Sequence, residues 1–360
     1  MKILHVINSL AAGGAEKLVA DLAPLQRERG HDVGVLLLRG GNTPFRTALE
    51  ERGIRVRDFG AGTSVYSPLH VFRLMPFLRK CDVVHVHLFP AQYWVAFAKM
   101  LSGAKTRLIT TEHSTSNRRR GIPCFRFFDK FVYGRYAKIV GISTGTTDAL
   151  KRYLGQGGAA FATIPNGADI GKIRGAAALP AHELVPVSCR TLVMQVAGFR
   201  DAKNQDAVIR ALALLPESVH AVFVGDGARR EICERLAEKL GLRSRAHFLG
   251  VRADVPALLN AADIVVMSSH WEGFGLAAVE GMAAGKPVVA SDVPGLAEVV
   301  GGAGILFPQG DEKALASAIL RLAEDENLYA ETAAACSRRA LDFDIRETCD
   351  AYLKIYGAEK

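Results

Sequence analysis

The chain alternates short apolar runs rich in Val and Ile with longer stretches whose apolar positions recur every three or four residues. The first run, 3–7, passes through Asn8-Ser9-Leu10-Ala11-Ala12-Gly13-Gly14 into a helical stretch over about 15–28. Gly30 stops that helix, and 33–38 reads as the next strand, so the chain opens as a βαβ unit. Further strand-like runs follow at 83–86, ending in His87, and at 108–110, ending in Thr111-Glu112-His113. Residues 139–142 and 162–164 complete this first series. Alanines and prolines without periodicity mark 173–189 as a linker.

A second alternating series begins at strand 191–196, with helix 204–215, strand 220–224, helix 228–240 and strand 246–249 behind it. Then come 254–260, strand 264–267, a loop, a helix over about 276–284 closed by Gly285 and Pro287, a strand at 288–289 and a helix over 312–324. Two consecutive βαβ series predict an α/β protein of two Rossmann-like, doubly wound parallel-sheet domains facing a cleft. The boundaries read as 1–172 and 190–342, with a last helical segment at 343–360.

Composition changes this picture in three places. No apolar run approaches the ~20 residues that span a bilayer, and the N-terminus carries no signal-peptide cleavage pattern. Six scattered cysteines, with no CxxC pair, argue against a zinc site or disulfide framework and suit a reducing cytosol. Charge is divided unevenly: residues 1–180 carry +14 and residues 181–360 carry −6. That asymmetry implies a polyanionic neighbour for the N-terminal half, either nucleic acid or an anionic membrane surface. The opening loop is not GxGxxG and no acidic residue closes the second strand, so no dinucleotide cofactor is expected.

The chemistry concentrates between His270 and Gly295, HWEGFGLAAVEGMAAGKPVVASDVPG. Gly273 and Gly275 let backbone approach a ligand. The helix start behind them is an anion site, because its N–H groups lack partners and its dipole is positive there. Glu272 precedes that start and Glu280 lies about two turns inside. Carboxylates beside an anion site are suited to accept hydrogen bonds from hydroxyls, and phosphate between hydroxyl-rich groups describes a nucleotide sugar. A buried α/β helix with two incidental glutamates is the plainer alternative.

Glu272, Gly273, Phe274, Gly275, Leu276 and Glu280 resemble the E-G-F-G-L-x-x-x-E motif of the retaining family-4 glycosyltransferases of GT-B fold. The resemblance implies that Glu280 holds the ribose hydroxyls and Glu272 the transferred sugar, with backbone N–H groups of Phe274, Gly275 and Leu276 nearby. Val196–Gln205, V-A-G-F-R-D-A-K-N-Q, is similar to the family's basic loop. It implies Lys203 as a clamp on the diphosphate leaving group, with Arg200 substituting for an arginine the family places nearer the glycine. F-L-G-V-R-A-D-V-P-A-L-L-N-A-A-D is similar to the segment lining the nucleobase, where Arg252 would stack on the base. Gly225-Asp226-Gly227 matches a structural turn. In the N-terminal half, Gly14 would meet the donor phosphate and Gly13 the acceptor, and His113 would orient the sugar and the acceptor proton. His85 and His87 fit D-V-V-H-x-H on one sheet face, His87 on the acceptor side. The terminal helix would cross back to the first domain.

A glycosidase-like pair, with carboxyls ~5–9 Å apart, is set aside because Glu280 has a ribose to hold. No Asp-x-Asp metal signature stands out and the cationic clamp can do a metal's work, so no metal or cofactor is expected. The segment 118–138, from Arg118 to Lys138, holds seven basic residues, one acid and six aromatics. Rings with cations suit an anionic bilayer interface; the alternatives are Phe127, Phe128 and Phe131 packed in the core, or RNA, for which no motif is present. The expected reaction is transfer of a sugar, from a UDP-sugar before a GDP-sugar, to a lipid-linked glycan acceptor in surface polysaccharide biosynthesis. The enzyme would sit at the cytoplasmic membrane face. A sugar-nucleotide epimerase and an inert membrane-associated scaffold are the rival classes.

Overall fold

The computed structural model describes residues 1–11, 13–115, 121–155, 160–186 and 188–357. The chain divides into two units, passing between them at Gly167–Ala168 and again at Asp344–Ile345.

The N-terminal unit is built on seven parallel strands: β1 (Lys2–Ile7), β2 (Asp32–Leu37), β3 (Arg55–Asp58), β4 (Val83–His87), β5 (Arg107–Glu112), β6 (Lys138–Gly141) and β7 (Ala160–Thr163). Their order is β3-β2-β1-β4-β5-β6-β7. Strand alternation sorts their side chains onto two faces. Ile3 and Ile7 of β1 join Val83 and Ile109 beneath the helix Gly14–Glu28 and the terminal helix Ile345–Gly357. Leu4 and Val6 join Val84, Val86 and Leu108 beneath helices His70–Leu78, Ala91–Ser102 and Thr144–Leu154. The terminal helix thus belongs to the N-terminal unit, where Cys349, Tyr352 and Tyr356 are buried.

The C-terminal unit has six parallel strands: β8 (Thr191–Val196), β9 (Val219–Val224), β10 (Ala246–Gly250), β11 (Ile264–Met267), β12 (Val288–Ser291) and β13 (Ile305–Phe307), ordered β10-β9-β8-β11-β12-β13. Helices Gln205–Leu212, Arg230–Lys239 and Glu312–Glu324 cover one face. The helix Leu276–Ala283 lies against the other, close enough that a methyl on Gly281 would strike Val265. From Ala278 to Ala283 every residue is buried, as expected of a helix apolar nearly all round. Glu280 is the one charged residue among them.

One expectation differs from the structure, and the sequence pattern passed over one edge strand. The stretch 173–189 was expected to link the domains, yet its described residues lie inside the C-terminal unit. Leu184 and Val185 are buried, the side-chain amide of Asn260 donates to the carbonyls of Ile173 and Ala176 at 2.7 and 2.9 Å, and Arg174 reaches Ser337 at 2.9 Å. The connection is instead made where Ala168 pairs with Asp344 and donates to the Phe343 carbonyl at 3.0 Å. Secondly, β3 escapes an apolar pattern because Arg55, Arg57 and Asp58 surround its single valine. It is an edge strand, held in part by Arg46 donating to Asp58 at 2.6 Å.

Candidate active site

In each sheet the strand order reverses once, between β1 and β4 and between β8 and β11. Loops leaving the C-terminal ends of such a pair diverge and open a crevice. Most of the sequence-predicted residues gather at these two reversals, whereas Arg252 follows β10, two strands away from β8. The only two non-glycine residues with positive φ among the described residues are there as well: Leu88 (66°), directly after β4, and Asn204 (47°), after β8.

At the β8/β11 reversal, Lys203 sits on a short 3-10 turn and Glu272 on the loop after β11. The Lys203 ammonium donates to Glu272 Oε2, with about a quarter or less of each side chain exposed. Ser269 Oγ donates to the same oxygen at 3.3 Å. Below them lies a girder that sequence reasoning missed. Buried Gln195 donates through Nε2 to the Lys203 carbonyl (3.1 Å) and to Ser268 Oγ (3.0 Å). Ser268 in turn donates to the Asn204 carbonyl at 2.8 Å, and Ser291 Oγ donates to the Ser269 carbonyl at 2.6 Å. A lone glutamine inside the apolar run of β8 was the available signal. The pair is therefore set by polar contacts from β8, β11 and β12 together.

Beyond Glu272, Gly275 caps the helix at φ 97°, and a side chain there would collide with Leu296. Phe274 is buried edge-on against Phe343, its ring 5.4 Å away. Leu276 opens the helix, and Glu280 is buried one face deeper. Gly225 and Gly227, at φ 135° and 153°, bear out the structural turn. Arg200 is exposed, with no ion pair among the described residues. Arg252 is also exposed, but its guanidinium is held in a two-pronged pair with Asp254.

At the β1/β4 reversal, His5, His85 and His87 share the sheet face under the helix Gly14–Glu28 and the terminal helix, all three wholly buried. His87 Nδ1 lies 3.2 Å from His113 Nε2, and His87 Nε2 lies 3.2 Å from His5 Nδ1. His5 Nε2 meets Gln26 Oε1 at 2.7 Å. His85 meets Tyr356 OH at 2.5 Å and Thr111 Oγ1 at 2.7 Å. His5, His85 and His87 offer a metal-sized cluster, but hydrogen bonds occupy all six of their ring nitrogens, so the chemistry of the set does not suit a cation. Desolvation pushes the His5 imidazolium down to about 4 and His113 to about 3, and holds His85 and His87 well below the usual histidine range. The sequence exposed His85, His87 and His113, whereas His5, Gln26 and Tyr356 come from three distant segments. Gly13 precedes the helix Gly14–Glu28 with an extended φ of −176° that any residue adopts, and a side chain at Gly14 would meet nothing within 4 Å. The fold requires glycine at neither.

The helix Pro123–Tyr133 forms a separate surface. Phe127, Phe128 and Phe131 are exposed, at 75%, 54% and 38%, which excludes the core-packed alternative for them. Arg126, Lys130 and Arg135 are exposed too, and the Arg135 guanidinium lies 4.4 Å from the Phe131 ring centre. Asp129, the one acid of the segment, is turned inward and accepts from Tyr93 (2.5 Å) and Tyr153 (2.8 Å). Arg118, Arg119 and Arg120 lie outside the described residues. No helix among the described residues is long and apolar enough to cross a membrane.

Two parallel-sheet units, each with its polar cluster at the strand reversal, define a GT-B-type protein, and comparison with known proteins agrees. The "Glycosyltransferase Family 4" pattern matches residues 12–172 and the "Glycosyl transferases group 1" pattern residues 185–341. The chain belongs to the family-4 glycosyltransferases of GT-B fold. It is similar to Anabaena HepE, whose crystal structure holds UDP and glucose, with 27% identity, a TM-score of 0.88 and full coverage of both chains. It is 37% identical over 161 residues to the putative glycosyltransferase EpsD of Bacillus subtilis. It is 36% identical over 159 residues to the lipopolysaccharide glucosyltransferase WaaG of Escherichia coli. These two alignments cover 43% and 40% of this chain and 42% of each relative.

The buried neutral histidines make the N-terminal unit acid-sensitive. In the unfolded chain histidine takes a proton near pH 6.5, which the folded His5 refuses until about pH 4. Stability is therefore full above pH 6.5 and falls as the pH drops towards 4, by up to ~1.4 kcal/mol per pH unit for each such histidine. Urea unfolding followed by Trp94 fluorescence in a Trp271→Phe background should show a much lower midpoint at pH 5 than at pH 7.5. An unchanged midpoint would contradict a neutral histidine core.

Proposed function

We propose that this chain moves a sugar from a nucleoside-diphosphate sugar, a UDP-sugar first, to a hydroxyl of a lipid-linked glycan in surface polysaccharide assembly. The observation that carries the reading is the Lys203–Glu272 pair at the sheet reversal, followed directly by a helix N-terminus and the buried Glu280. An ammonium has three donors and Glu272 takes one, so Lys203 can hold a phosphate oxygen and a sugar-facing carboxylate in one arrangement. Arg200, exposed on the same loop, adds the second cation. Backbone N–H groups of Phe274, Gly275 and Leu276 supply further donors, and Glu280 accepts from the ribose hydroxyls. Arg252, fixed by Asp254, offers a flat face to the base. HepE, alike over its full length and bound to UDP and glucose, supports this choice of donor.

In the reaction the bond from the anomeric carbon to the β-phosphate breaks and a bond to the acceptor oxygen forms on the same face. The departing phosphate, its charge countered by Lys203 and Arg200, takes the acceptor's proton. Configuration is retained without a protein nucleophile, and the two cations do the work for which other transferases use a metal. His113 accepts from a sugar hydroxyl, Gly13 serves the acceptor side and Gly14 admits the donor phosphate; His87, expected on the acceptor side, is wholly buried with both ring nitrogens hydrogen-bonded and acts only through His113. WaaG, by name a lipopolysaccharide glucosyltransferase, supports the acceptor class and the pathway.

The exposed phenylalanines and cations of the helix Pro123–Tyr133 fit an anionic bilayer, where rings insert and each nearby cation adds ~1 kcal/mol. Peripheral attachment at the cytoplasmic membrane face follows, and the inward-facing Asp129 removes the one charge that would oppose it.

Two experiments test these statements. UDP at ~100 times its dissociation constant should stabilise the protein by ~2.7 kcal/mol, seen as a raised melting temperature that Glu280→Ala abolishes. No shift with UDP, GDP or ADP would overturn the donor assignment. In co-sedimentation, the protein should bind phosphatidylglycerol vesicles and not phosphatidylcholine ones, and the double change Phe127→Ser with Phe128→Ser should release it. Equal binding to both vesicle types, or no effect of the change, contradicts the membrane reading.

A further inference from the structure

The histidines at the β1/β4 reversal are joined in a single file, and hydrogen-bond bookkeeping along it leaves little freedom. Gln26 Oε1 is an acceptor, so His5 Nε2, 2.7 Å away, carries a proton. A neutral imidazole has one N–H, which makes His5 Nδ1 an acceptor. His87 Nε2, at 3.2 Å, must then donate to it. His87 Nδ1 is left as an acceptor, and His113 Nε2, at 3.2 Å, donates in turn. The last atom in the file, His113 Nδ1, is a bare lone pair. It is shielded from solvent and has no hydrogen-bond partner among the described residues.

The side branch obeys the same pattern. Gln26 Nε2 donates to Tyr356 OH, the Tyr356 hydroxyl proton turns to His85 Nδ1, and His85 Nε2–H turns to Thr111 Oγ1. The reverse pattern, with every ring protonated on Nδ1, requires Gln26 to present its NH2 to His5. The structure has the carbonyl oxygen there. Burial keeps the rings neutral at physiological pH, which the counting needs.

We propose that Gln26, His5 and His87 form a tautomer relay that fixes His113 with its proton on Nε2 and its Nδ1 lone pair as a hydrogen-bond acceptor. Gln26, His5 and His87 are positioning residues in this scheme and act only through His113. The relay also states what His113 can recognise. A bare lone pair accepts from a hydroxyl and repels a phosphate or carboxylate, so a group that reaches His113 Nδ1 is a sugar hydroxyl and not the diphosphate. This last step rests on the proposed transfer reaction; the relay itself does not.

The test is long-range 1H–15N correlation of the full chain labelled with 15N-histidine at pH 7.5, without ligand and with UDP. His113 is assigned by the signals lost in His113→Gln. We expect His113, His5 and His87 all as the Nε2–H tautomer. Gln26→Leu should convert His113 to a mixture of tautomers. An Nδ1–H signal for His113 in the unaltered protein would overturn the relay, and so would an unchanged His113 in Gln26→Leu. Should Gln26→Leu not fold, the unaltered protein decides alone, since a mixed or Nδ1–H form of His113 there contradicts the proposal. Failure of UDP to bind would sink the transfer reading and leave the tautomer result standing.

Discussion

The contact on which the site depends is a lysine ammonium held against a glutamate carboxylate where a parallel sheet reverses its strand order. Lys203 arrives from the loop after β8 and Glu272 from the loop after β11. Neither loop would hold such a position alone. Gln195 and Ser268, both buried, tie the backbone at Lys203 and Asn204 to β8 and β11. Ser291 ties the backbone beside Glu272 to β12. A partly buried pair of this kind adds little to stability, since desolvation offsets much of its attraction. Its consequence is geometric: a cation and an acceptor are fixed side by side, shortly before the N-terminus of the helix Leu276–Ala283.

The N-terminal unit solves a different problem. It buries three histidines, a glutamine and two tyrosines in a layer otherwise made mainly of valine, isoleucine, leucine and alanine. Such groups are costly in a core unless their hydrogen bonds are met. Here they meet one another, and the terminal helix supplies Tyr352 and Tyr356 to complete the set. Returning the end of the chain to the first unit is therefore part of the polar bookkeeping of that core. One acceptor, on His113, is left over at the C-terminal end of β5, where ligands of such sheets bind.

Much of this was legible in the chain. The fully buried strands read as apolar runs, and those at 191–196 and 264–267 fall where the pattern put them. Lys203, Glu272 and Glu280 stood out because a motif of glycines and an aromatic framed them. Elements with polar sequences did not stand out. β3 is mostly charged, and the helix Glu326–Ala340 mixes alanine with charge, although Asp325, which caps it at 2.9 Å, marks its start. The linker was misplaced because 173–189 is held by single side-chain contacts rather than by periodicity. The relay was invisible because Gln26 and Tyr356 are 330 positions apart, and periodicity reports a residue's face but not its partner.

Whether Lys203 clamps a diphosphate is decided by calorimetric titration of UDP and of UMP into the unaltered protein and into Lys203→Met, at one fixed salt concentration. A clamp on the second phosphate means that Lys203→Met weakens UDP at least ~10-fold, or ~1.4 kcal/mol, and UMP, which lacks that phosphate, far less. Equal losses for both nucleotides, or no loss for UDP, would contradict it.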